Sequence, residues 1–118
     1  MTELAGIDRA ALDSLLDSVG GDLEFLAELV REFVRDGPRQ FGALKQALSD
    51  GDSEALRRAA HTMKSNSATF GAMSLSAKFR ELEHMGRDCA LEGASAAIAQ
   101  AQAGFEAVAQ ALTEVAGG

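Results

Sequence analysis

An all-α fold is what this sequence predicts: an antiparallel up-down-up-down four-helix bundle with two short N-terminal capping helices. Three observations carry it. Apolar residues recur three and four apart through most of the chain, and no segment alternates with a period of two. Alanine is abundant, Trp and Tyr are absent and proline occurs once, a composition that favours helix over strand. Stops fall at regular intervals, at Gly20-Gly21, Asp36-Gly37-Pro38, Ser49-Asp50-Gly51-Asp52, Gly71 and the looser stretch from Arg87 to Gly93.

Between these stops lie six candidate helices. The first runs from about Asp8 to Ser18. Asp8 is its N-cap, Leu12, Leu15, Leu16 and Val19 share one face, and Ile7 is placed to staple onto Leu12. The second follows Asp22 and repeats Leu23, Leu26, Val30 and Phe33; Gly37 and Pro38 should end it, because proline breaks a continuing helix. The third, Pro38 to Leu48, buries Phe41, Leu44 and Leu48. The fourth begins near Asp52 and Ser53, carries Leu56, Ala60, Met63, Ser67 and Phe70 on one stripe, and ends at Gly71. The fifth, from Ser74, presents Leu75, Phe79, Leu82 and Met85. In the last, Leu91, Ala94, Ile98, Ala101, Phe105, Val108, Leu112 and Val115 form a bundle seam.

Short loops make neighbouring helices antiparallel, so the last four should pack at crossing angles of ~20°. One domain over residues 1–118 is expected, with the bundle over about 38–116 and the capping helices over about 8–36. Gly117-Gly118 should fray. A start at Met1 with no linker predicts a free-standing chain, and one apolar stripe per helix predicts a monomer.

Composition narrows the functional classes. The 47% hydrophobic fraction is spread in short clusters, with no run near the ~20 residues of a membrane span. The N-terminus lacks the basic start and apolar stretch of a signal peptide, so a cytoplasmic chain is expected. Cys89 is the only cysteine and no internal disulfide can form. Eighteen acidic against eleven basic residues give a formal charge of -7, which disfavours nucleic acid as partner.

On the fourth helix, His61 falls about 140° from the centre of the apolar stripe and so faces water. Its axial neighbours are Arg57, Lys64, Ser65 and Ala68, two basic and two small. An imidazole that attacks a phosphoryl group must be reachable, must be unprotonated at the attacking nitrogen, and must take on about -2 of charge without repulsion. Lys64 and Arg57 address the charge; Ser65 and Ala68 leave room for another protein's active site. Arg57, Arg58 and Lys64 suit attraction to an acidic partner site, although either arginine can simply pair with Glu54.

The stretch Ala59-Ala60-His61-Thr62-Met63-Lys64-Ser65, with Gly71 near the helix end, resembles the His-x-x-Lys-Gly signature of histidine-containing phosphotransfer (HPt) domains. The similarity extends through the Leu56-to-Ala60 approach, the Leu82-Glu83 pair, and Leu91-Glu92-Gly93-Ala94. The resemblance implies that His61 accepts a phosphoryl group and that Lys64 is its charge partner. It implies response-regulator receiver domains or a hybrid histidine kinase as partners, with Mg²⁺ held by the receiver and no cofactor or metal in this chain. It also implies a phosphocarrier without kinase activity. Ser65 departs from the motif, which most often has glycine there.

The same residues admit other readings. An HPt-like scaffold that docks receivers without carrying phosphate would not need both His61 and Lys64. A plain helical adaptor would need a spare apolar stripe. His84, among Arg80, Glu81, Arg87 and Asp88, reads as solvated surface, and the lone Glu81/His84 pair does not make a di-iron site. Cys89 reads as incidental; Met63, Met85 and all six phenylalanines read as core.

Overall fold

Aspartates start the first three helices. In a computed structural model, which describes residues 3–4 and 6–116, Asp8 caps α1 (Arg9–Ser18) by accepting from Ala10 N at 3.0 Å. Asp22 caps α2 (Leu23–Asp50) through Phe25 N at 3.1 Å, and Asp52 caps α3 (Ser53–Thr69) through Ala55 N at 3.0 Å. Each carboxylate satisfies a backbone donor that the first helical turn leaves open. Two more helices follow, α4 (Met73–Arg87) and α5 (Ala94–Val115). The expected fraying of Gly117-Gly118 lies outside the described residues.

The described residues form five helices where the sequence predicts six, because the expected stop at Gly37-Pro38 does not occur. The second capping helix and the first bundle helix are one element, so the division at residues 36–38 is corrected. Pro38 costs a backbone hydrogen bond, ~3 kcal/mol in a helix interior. Against this, Leu26, Val30, Phe33, Gly37, Phe41, Leu44 and Ala47 make one buried stripe that crosses the proline without a break, while Pro38 itself is exposed. Burying several large side chains at ~1.5–3 kcal/mol each outweighs the local penalty. Gly37 is there for packing: a Cβ on it would lie 2.0 Å from the Phe105 ring.

Helix α2 packs on α3 and α5, and α4 packs on α3 and α5, closing a ring of four. Aromatic contacts tie it together. Phe70 of α3's C-terminal cap meets Phe33 of α2 (4.9 Å between centroids), which meets Phe105 of α5 (5.3 Å). Phe105 meets Phe41 (5.6 Å), and Phe41 meets Phe79 of α4 (5.6 Å). Two sequence expectations for the core fail at the start of α2, where Leu23 is 59% and Phe25 46% exposed. At ~1.5 Å per residue, the 28 residues of α2 reach farther than the 17 of α3, leaving its first turn with few neighbours.

Two strands too short to show alternation, β1 (Glu3–Leu4) and β2 (Ile7–Asp8), form an antiparallel pair that the sequence does not reveal. Asp8 N donates to Gly71 O at 2.7 Å, Ile7 bridges Ala72, and the Ile7 side chain is fully buried. The N-terminal segment thus pins the corner between α3 and α4.

That helix pair positions the site. A Cβ on Gly86 of α4 would lie 2.7 Å from Ser53 O and from Arg57 N, so the two backbones nearly touch there. Farther along, Glu83 lies against His61 and Lys64, and Ser76 Oγ donates to Lys64 O. Partner numbers fall on α4 as they rise on α3, so the pair is antiparallel. The sequence predicts Met85 on the buried stripe of α4; Gly86 is buried there instead and Met85 is half-buried.

Candidate functional site

His61 stands on the outer face of α3 with 55% of its side chain exposed, as the helical spacing predicts. Its Nδ1 lies 2.7 Å from Glu83 Oε2. The other oxygen of the same carboxylate, Oε1, lies 2.6 Å from Lys64 Nζ. Glu83 is thus a bridge between the imidazole and the ammonium, with its own side chain only 15% exposed. The Lys64 ammonium is the main reason its carboxyl is held below the ordinary value; partial burial opposes this, and the bond to His61 adds to it. Ionised at neutral pH, this carboxylate can only accept, so Nδ1 is the donor, and in the neutral ring Nε2 is the nitrogen that carries the lone pair.

Glu83 enters the sequence reading only as part of the family resemblance, with no role assigned at the site. It sits four residues after buried Phe79 and three before buried Gly86, at the rim of the α4 core stripe. A carboxylate at the edge of a buried face was the available signal; what it meets depends on the α3/α4 register, which Gly86 sets.

The residues expected around His61 separate into two groups. Lys64, Ser65 and Ala68 line a shallow groove between α3 and α4, opposite Met73, Ala77 and Arg80. Arg57 and Arg58 are engaged elsewhere: Arg57 binds Glu54 with its Nη2 at 2.6 Å from Oε2, and Arg58 Nη1 is 3.9 Å from the same oxygen. Glu54 keeps Arg57 more basic than usual and is itself held below the ordinary carboxylate range, chiefly by Arg57. His84 is exposed with no ion pair among the described residues, and Cys89 is exposed. No group of three His, Cys, Asp or Glu residues able to hold a metal occurs among the described residues. Nor is any described helix long and apolar enough to cross a membrane.

A ring of four helices that presents one oriented imidazole outward, beside a lysine, defines a class of protein, the histidine phosphotransfer modules. The chain matches the Hpt domain family over residues 28–116 and belongs to it. Hpt domains relay phosphoryl groups with receivers and kinases, as phosphocarriers rather than enzymes. The fold is similar to the crystal structure of histidine-containing phosphotransfer protein B from Pseudomonas aeruginosa PAO1, with a TM-score of 0.86 and 32% identity over 94% of each chain. No curated protein sequence matches the chain.

Proposed function

We propose that this chain is a cytoplasmic phosphocarrier that accepts a phosphoryl group on His61 from a receiver-domain aspartate, or from a histidine kinase relay, and passes it to another response-regulator receiver. The observation that carries this reading is the 2.7 Å contact between His61 Nδ1 and Glu83 on an exposed face of α3. A carboxylate that accepts from Nδ1 supports Nε2 of the neutral ring as the nucleophile.

In the forward step the Nε2 lone pair attacks phosphorus in line, the Nε2–P bond forms, and the P–O bond to the aspartyl carboxylate breaks. Because Nδ1 keeps its proton, the phosphorylated ring is cationic, and Glu83 faces that charge. The Lys64 ammonium, one turn from His61 on the same helix, stabilises the incoming phosphoryl oxygens by a charge-assisted contact. Transfer to the second receiver reverses these steps over the same surface. Mg²⁺ belongs to the receiver.

Incubation with a receiver charged by acetyl phosphate tests the proposal. The expected result is the mass of one added phosphoryl group, lost in acid and retained in base, as a phosphoramidate requires. His61→Gln abolishes it and His84→Gln does not. Labelling that survives the first substitution and disappears in the second overturns the assignment.

A further inference from the structure

Among the cations of α3 and α4, most are already paired. Arg57 and Arg58 share Glu54, Lys64 is bound to Glu83, and Arg87 to Asp88. Lys78 makes no ion pair among the described residues but lies beside Gly104 of α5, away from the groove. Arg80 is exposed, makes no ion pair among the described residues, and lines the α3/α4 groove that begins at Lys64 and Ser65, one turn from His61. At the other end of the same wall is Met73, 46% exposed and one of three large apolar side chains that the described surface leaves open.

Met73 and Arg80 are seven residues apart on α4, two helical turns, so they share a face about 10 Å apart. Between them lies Ala77, and across from them Ser65 and Ala68, all too short to hold a partner away. The groove therefore offers an apolar contact at one end and a solvated guanidinium with no ion-pair partner among the described residues at the other, with a floor that admits close approach.

Resting on the reading of His61 as a phosphocarrier, we infer that this groove is where the partner is selected: Arg80 and Met73 favour receiver domains that present a surface carboxylate and an apolar side chain about 10 Å apart. The paired arginines do not discriminate, because each already has its counter-charge. Arg80 has none among the described residues, so a partner carboxylate displaces no competing anion and a partner cation meets repulsion.

The test uses the full chain and a panel of receiver domains charged with acetyl phosphate, with transfer rates measured by rapid quench. For the receiver that charges the unmodified chain fastest, Arg80→Glu lowers the second-order rate constant at least tenfold, and the loss shrinks when salt is raised to about 0.5 M. Arg80→Lys stays within about threefold, since the carboxylate retains a counter-charge. Met73→Asp also slows transfer. Arg31→Glu, the same change in net charge on the exposed face of α2, leaves the rate unchanged. An unaltered rate in Arg80→Glu, or an equal loss in Arg31→Glu, overturns the groove as the selecting surface. Phosphoramidate, a small donor that needs no docking, separates the two levels of failure. If it leaves His61 of the unmodified chain unlabelled, the carrier reading falls and this inference with it. If His61 is labelled but no receiver charges the chain, the partner class is wrong.

Discussion

A single carboxylate that serves two bases sets what each can do at this site. While Glu83 holds the Lys64 ammonium, a phosphoryl group arriving at Nε2 must compete for it, so Lys64 contributes in proportion to how far the incoming charge draws it away. Lys64→Ala is therefore expected to slow transfer or shorten the phosphohistidine lifetime by roughly 1–3 kcal/mol, without removing the nucleophile. Unchanged kinetics would take Lys64 out of the site. The same pairing makes a prediction about acid. The carboxyl of Glu83 is held below its ordinary value of 4.5, so between the two values the unfolded chain binds more protons than the folded one. The stability this contributes is complete above the ordinary value and lost as pH falls through the lowered one. Melting temperatures of the unmodified chain and Glu83→Gln should differ at pH 7 and converge as pH falls through the lowered value. A gap that ignores pH would mean that the bridge does not form in solution.

Two glycines govern how the helices meet, and both respond to an added methyl group. In an open helix Gly→Ala gains ~1 kcal/mol. At Gly37 the new carbon would enter the Phe105 ring, and at Gly86 it would meet the α3 backbone, which cannot step aside like a flexible side chain. Both alanine variants are expected to be destabilised by about 1–3 kcal/mol in urea titrations. Gly86→Ala should also impair His61 phosphorylation, since it forces apart the helices that bring Glu83 to the ring, whereas Gly37→Ala should leave labelling of the folded fraction intact. Equal effects on labelling would detach Gly86 from the site. Aspartate caps and the stripes of α3 and α5 are legible in the sequence because they are set by local chemistry and a 3.6-residue period. So is the outward direction of His61. The continuity of α2 is not, because a proline's local cost is visible in the sequence and the tertiary burial that offsets it is not. Glu83 escapes for a related reason: its partners lie 22 and 19 positions away, on another helix.

At the scale of the whole molecule, the family match begins at residue 28, yet the chain ahead of it is built into the core. Ile7 is fully buried and Leu12 is 3% exposed, and Asp8 is hydrogen-bonded to Gly71 at the corner where α3 turns into α4. If this segment belongs to the same cooperative unit as the bundle, damage to it must be felt at the site far along α3. Ile7→Ala removes most of a fully buried side chain and leaves a cavity that the surrounding helices fill only in part, a loss of about 2–4 kcal/mol. That is a large share of the ~5–15 kcal/mol that holds a domain of this size. The unfolding midpoint should fall with an unchanged dependence on denaturant, because the surface exposed on unfolding is almost the same. Helicity by circular dichroism and the His61 ring resonances by NMR should still report one shared transition, at the lower midpoint. Two transitions, with the His61 signals surviving the first, would show instead that the N-terminal segment folds onto an independently stable bundle.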